Sequence, residues 1–185
     1  RIKKLEKQGF NTVILRFSNV FGGLLDHYDR VIPAFCINAL KGNTIRIDGK
    51  ECVFDFTYIE DVVEGILLAV EKLMSFQQIG LPVHLTGCRG CNLDELVRII
   101  MDITGSKSPI DYRPPRNFDV SCFYGDFSNA DKLLGWKPKH SLEEGIEKFI
   151  SDIQNAVTDC PYNVEMQIYE NIKSYLLKMS FVTQD

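Results

Sequence analysis

Three groups of residues have types and spacings that could do chemistry: an amide, a guanidinium and a pair of thiols. Asn19 stands just beyond the apolar, β-branched run 12–16 (TVILR), with Gly22 and Gly23 close behind. A short amide there can hydrogen-bond ligand oxygens while glycine backbone lets a ligand approach closely; the alternative is an asparagine that satisfies its own turn. Arg116 follows Pro114-Pro115. A guanidinium suits phosphate, and its bland counterpart is a solvated loop charge. Cys88-Arg89-Gly90-Cys91 has metal-ligand spacing, but with no second pair and no nearby His it reads as a turn holding two thiols.

The elements that must position these residues follow from patterning. Residues 12–16 predict a buried strand and Ser18-Asn19-Val20-Phe21-Gly22-Gly23 a loop. Residues 31–40 (VIPAFCINAL) predict a helix with Pro33 tolerated in its first turn and a stop at Gly42. Ile45 with Ile47, and residues 53–58, predict short strands around a turn at Asp48-Gly49-Lys50. In the second, Val53, Asp55 and Thr57 alternate with Phe54, Phe56 and Tyr58. Glu60-Asp61 is an acidic first turn for a helix reaching about Leu73. A strand over 82–86 precedes a helix capped by Asn92 with Glu95, carrying Leu93, Leu96, Val97, Ile100 and Ile103 to Gly105. Then come a strand over 110–113, a short helix capped by Ser128 or Asn129 and ending at Gly135-Trp136, and a longer helix opened by Ser141 with Glu144. Its apolar residues are Leu142, Ile146, Phe149, Ile150 and Ile153. A last amphipathic helix spans 164–179. Strands alternating with helices predict an α/β class. A boundary near Asp159-Cys160-Pro161 separates a main portion, 1–159, from a helical appendage, 160–185.

Composition narrows the function. The chain has 185 residues, 45% hydrophobic and 25% charged, as in an ordinary globular protein with a real core. A net charge of −4 without a basic block argues against nucleic acid as partner. No apolar run approaches the roughly 20 residues needed to span a bilayer, and the start carries no signal-peptide pattern. Six scattered cysteines read as free thiols of a cytoplasmic protein. Residues 1–7 (RIKKLEK) read as the inside of a helix, the expectation being a piece of a longer protein.

Four ordered segments carry a resemblance. They are Arg16-Phe17-Ser18-Asn19-Val20-Phe21-Gly22; Asp55-Phe56-Thr57-Tyr58-Ile59-Glu60-Asp61-Val62-Val63-Glu64-Gly65-Ile66; Thr86-Gly87-Cys88-Arg89-Gly90-Cys91-Asn92; and Arg113-Pro114-Pro115-Arg116-Asn117-Phe118-Asp119-Val120 leading to Leu133-Leu134-Gly135-Trp136-Lys137-Pro138. In order and spacing they resemble the NAD-dependent epimerase/dehydratase family of extended short-chain dehydrogenases, over about residues 12–150. The resemblance implies the C-terminal, substrate-binding part of a Rossmann-type fold, with the dinucleotide-binding N-terminal half missing. By it, Arg116 binds the diphosphate of a nucleotide sugar and Asn19 sugar or phosphate oxygens. Val31, Ile32, Phe35, Ile47 and Asp48 match the region lining the base, and Tyr58 lines the pocket or the core. Phe17 and Ser18 approach the nicotinamide of an NAD held mainly by the missing half. Asp61, Asp119 and Trp136 are expected to be structural. Two positions depart from the pattern. Phe54 stands where many members carry Arg, so that Arg30, Arg46 or Lys50 would have to replace it, and Asp48 stands where an aromatic is frequent.

The family's chemistry also needs a glycine-rich turn for the cofactor pyrophosphate and a Tyr-x-x-x-Lys pair whose lysine lowers the tyrosine pKa. Neither precedes Arg16. Tyr169 and Lys173 have the spacing but fall after the strand that should follow them, so they read as a chance match, and no catalytic residue is assigned. The expected function is nucleotide-sugar binding within a 4-epimerase-like or dehydratase enzyme, inactive as a fragment, with the missing half as partner and a homodimer allowed. The alternatives are a non-catalytic binding or regulatory module and a related NAD(P)-dependent reductase.

Overall fold

The computed structural model describes residues 2–75, 79–117 and 120–159. Phe118 and Asp119, the helix expected over 164–179, Tyr169, Lys173 and the proposed appendage lie outside them.

In chain order the elements are α1 (Ile2–Lys7), β1 (Leu15–Phe17), β2 (Asn19–Phe21), α2 (Val31–Lys41), β3 (Ile45–Asp48), β4 (Val53–Tyr58) and α3 (Ile59–Met74). They continue with β5 (Val83–Leu85), β6 (Gly90–Asn92), α4 (Leu93–Thr104), β7 (Ile110–Arg113), α5 (Ser128–Leu134) and α6 (Leu142–Asp159). β1 pairs in parallel with β5, and β3 in parallel with β7. β4 is the middle of a three-stranded sheet, parallel to β2 and antiparallel to β6.

The expected loop at residues 18–23 is therefore corrected: it holds β2. Local turn chemistry at Ser18-Asn19 is overridden because pairing with β4, in the register Asn19↔Phe56 to Phe21↔Tyr58, satisfies the backbone. The preceding strand is also displaced, to Leu15–Phe17. Ser18 is the one residue between two sheets, and its hydroxyl is hydrogen-bonded to that of Thr57 at 2.6 Å. β6 was likewise hidden in a segment that reads as a turn; Gly90, Cys91 and Asn92 lie opposite Asp55, Phe54 and Val53.

The alternation expected along β4 fails from Asp55 onward, where four successive residues are buried. Asp55 and Thr57 are buried as partners of the Gly87 N–H and the Ser18 hydroxyl, while Phe56 and Tyr58 enter the main core, so both faces lose water. The main core joins Phe35 and Cys36 of α2, Ile45 and Ile47 of β3, Leu96 and Ile100 of α4, and Ile146 and Phe149 of α6. A smaller core gathers Val83, Leu85, Ala130, Leu134 and Trp136. α3 packs onto it through Gly65, where a Cβ would come within 2.6 Å of the Leu85 side chain.

The caps at Asn92 and Ser141 form as expected. The Glu95 N–H donates to the Asn92 side chain at 2.8 Å, and Ser141 and Glu144 bond reciprocally. The cap of α5 is corrected. Asp126 Oδ1 accepts the Ser128 N–H at 2.8 Å, whereas the Asn129 amide donates to the Pro82 carbonyl. Asp61 and Trp136 are structural: the indole N–H donates to the Asp61 carbonyl at 2.8 Å, and the Asp61 carboxylate accepts the His140 N–H and contacts its Nδ1.

Candidate functional site

A cleft of about 260 Å³ opens at the C-terminal ends of β2 and β3 and the start of α2. Its walls hold Asn19, Val31, Ile32, Asp48 and Arg116 among the expected residues, together with Arg30. Phe35 and Ile47 lie behind the wall in the core. Tyr58 is also core: it meets Phe21 edge-on at 5.7 Å, and the Lys148 ammonium lies 5.4 Å from its ring. Burial pushes its phenol pKa up, and the Glu60 carboxylate adds to the effect. Phe17 and Ser18 are outside the cleft, at the strand end adjoining Asn19; the Phe17 ring is exposed.

The position of Arg116 is set by the β3–β4 turn. Asp48 lies opposite Arg113 in the parallel pairing, and the Gly49 N–H donates to the Arg113 carbonyl at 2.9 Å. Gly49 has φ +70°, and a Cβ on it would meet Pro115 at 2.8 Å. A glycine is thus needed twice over, for the turn and for the close approach that seats the Pro-Pro-Arg loop.

Three cations were expected as replacements for the arginine missing at Phe54. Arg30 lines the cleft, whereas Arg46 donates to Asp48 at 2.9 Å and Lys50 lies over Tyr112. Arg30 also occupies the N-cap of α2 without a side-chain cap hydrogen bond, and the first turn of α2 has no acidic residue. A helix N-terminus in this state favours an anion. Phe54 itself is in the wall, 6.3 Å from the Phe56 ring.

Sequence reasoning missed Val20, Phe21, Asp26, Asp29, Pro33, Phe56 and Leu93 as lining residues. The neighbourhood of Phe56 and Phe21 follows from the β2–β4 register, which no local pattern announces. Asp26 and Asp29 had only their closeness to Arg30 as a signal. Of the two thiols in the Cys-x-x-Cys segment, Cys88 is exposed with φ 57° and Cys91 is buried in β6. Among the described residues no cluster of three or more His, Cys, Asp or Glu is placed to hold a metal, and no helix is long and apolar enough to cross a membrane.

Residues 3–79 match the model of the NAD dependent epimerase/dehydratase family. UDP-glucuronic acid decarboxylase 1 of Danio rerio is 30% identical over 148 residues, 79% of this chain and 34% of that protein. The UDP-glucose 4-epimerase of Thermotoga maritima, solved with UDP-glucose, superposes with a TM-score of 0.77 at 31% identity, over 84% of this chain and 50% of its own. The UDP-glucuronic acid 4-epimerase of Bacillus cereus, solved with UDP-glucuronic acid and NAD, gives 0.68 at 26% identity, over 77% and 45%. The fold is thus the mixed α/β, Rossmann-like fold of these epimerases, and the chain spans a third to half of their length.

Proposed function

We propose that this chain, matched to the NAD dependent epimerase/dehydratase family over residues 3–79, is the sugar-nucleotide-binding part of a nucleotide-sugar 4-epimerase. The observation that carries the reading is the convergence of Arg30, Arg116 and Asn19 in one cleft at strand C-terminal ends, beside the uncapped start of α2. Open α/β sheets bind ligands at such ends, where the chain switches direction or sheet.

In this reading Arg116 and Arg30 hold the diphosphate, Asn19 hydrogen-bonds the sugar side, and Val31 and Ile32 wall the base. Phe17 and Ser18 face the nicotinamide end. The Ser18–Thr57 hydrogen bond fixes that strand end, and the exposed Phe17 ring fits a planar neighbour. NAD, when bound, supplies reversible hydride transfer at a sugar carbon. The residues of this chain contribute orientation of the sugar toward it.

The catalytic base and the pyrophosphate loop are assigned to a dinucleotide-binding half, without which residues 1–159 would not turn over. Two features support such a partner. On α3, Val63, Ile66, Leu67, Val70 and Met74 are exposed at helical spacing, a second apolar face opposite the one packed on β5. Among the described residues β1 is also paired on one side only, by β5.

Titration calorimetry of the full-length protein with UDP-glucose tests the site: Arg116→Ala should weaken binding by about tenfold or more. Unchanged affinity removes Arg116 from the cleft chemistry. Proton NMR of UDP-glucose incubated with the full-length protein and NAD tests the reaction. Inversion at C4 supports epimerisation, and loss of water or carbon dioxide from a suitable sugar nucleotide would assign a dehydratase or decarboxylase instead.

A further inference from the structure

Asp26 lies on the connection from β2 to α2 and lines the cleft, with its side chain only 6% exposed. Oδ1 accepts the His27 backbone N–H at 2.8 Å and an Arg30 guanidinium N–H at 3.1 Å. Oδ2 is buried and has no hydrogen-bond partner among the described residues. Such an oxygen has given up water without gaining a donor, which is unfavourable until a donor arrives. Among the described residues the other two acids of the cleft differ. Asp29 is exposed and pairs with His27 at 2.5 Å, and Asp48 pairs with Arg46 at 2.9 Å.

We propose that Asp26 recognises the sugar at C6: its Oδ2 accepts a hydrogen bond from the C6 hydroxyl, so the cleft selects a neutral hexose over a uronic acid. The inference rests on the nucleotide-sugar reading above and narrows it. A hydroxyl brings the donor that Oδ2 lacks. A carboxylate brings a second negative charge and no proton to an oxygen that needs a donor, so the two repel. The diphosphate is kept from Asp26 by the same repulsion and belongs with Arg116 and the α2 N-terminus. The sugar then falls between Asn19, at the start of β2, and Asp26, on the connection from β2 to α2. Solved structures similar to this chain include proteins named for UDP-glucose and for UDP-glucuronic acid.

The test is calorimetry of the full-length, NAD-saturated protein with UDP-glucose and with UDP-glucuronic acid, which share the nucleotide and differ at C6. The neutral sugar should bind at least about tenfold more tightly, and Asp26→Asn should bring the ratio to within about threefold. Equal affinities in the unmodified protein, or a preference for the acid, overturn the proposal. So does a ratio that Asp26→Asn leaves intact. The ratio in the unmodified protein decides the preference even if Asp26→Asn does not fold, and Asp26→Ser then reports on the residue. Binding of neither sugar would overturn the nucleotide-sugar reading itself, and this inference with it.

Discussion

The carboxylate of Asp55 accepts the backbone N–H of Gly125 at 3.0 Å, joining β4 to a segment 70 residues later. The same side chain accepts the Gly87 and Cys88 N–H groups at 2.9 and 3.0 Å and is fully buried. Three donors on one carboxylate clasp the turn after β5, where Cys88 holds a left-handed φ of 57° that a non-glycine residue adopts only when held. Asp55→Ala strands these donors. Urea unfolding should show a loss of about 3–5 kcal/mol. A loss under about 1 kcal/mol would mean that the turn finds other acceptors.

Much of this fold was legible because its helices announce themselves locally. Asn92 with Glu95 and Ser141 with Glu144 are capping pairs that sequence spacing reveals, and both form. Strands of three residues carry too little periodicity to compete with turn-forming neighbours, so β2 and β6 emerge only from their pairing with β4. The cleft shows the same division. Asn19 and Arg116 could be named from their motifs, and the structure brings them into one cleft. Asp26 could not be named, because its distinguishing property is an unsatisfied oxygen created by burial.

Arg30 is paired with Asp26 in the cleft, and its contribution to anion binding can be separated by salt. If it holds a phosphate as well as Asp26, Arg30→Gln should weaken UDP binding to the full-length protein by about fivefold to tenfold and flatten the salt dependence. Combined with Arg116→Ala, the losses should depart from simple addition, since the two arginines share the diphosphate as partner. An Arg30→Gln variant with unaltered UDP affinity and salt slope would confine Arg30 to holding Asp26.

The cysteines give a prediction about pH. Burial pushes the Cys36 thiol up to about 12, and burial with the nearby Glu95 carboxylate does the same for Cys91. Cys88 and Cys122 are exposed. Iodoacetamide at about pH 8 should therefore modify Cys88 and Cys122 in the folded protein and reach Cys36 and Cys91 only on unfolding, because the thiolate is the reacting species. Peptide mapping distinguishes each position. The same shifts couple to stability. An unfolded thiol loses its proton near roughly pH 8.5, whereas the folded ones keep theirs to about 12, so in that window the native state binds more protons. Stability should be unaffected by these thiols below the window and fall as pH rises through it, by up to roughly 1.4 kcal/mol per pH unit for each thiol. Cys36→Ala should remove its share of that alkaline slope, whatever it costs in packing. A slope that persists unchanged in the variant would show that Cys36 ionises as readily in the folded protein as in the unfolded chain.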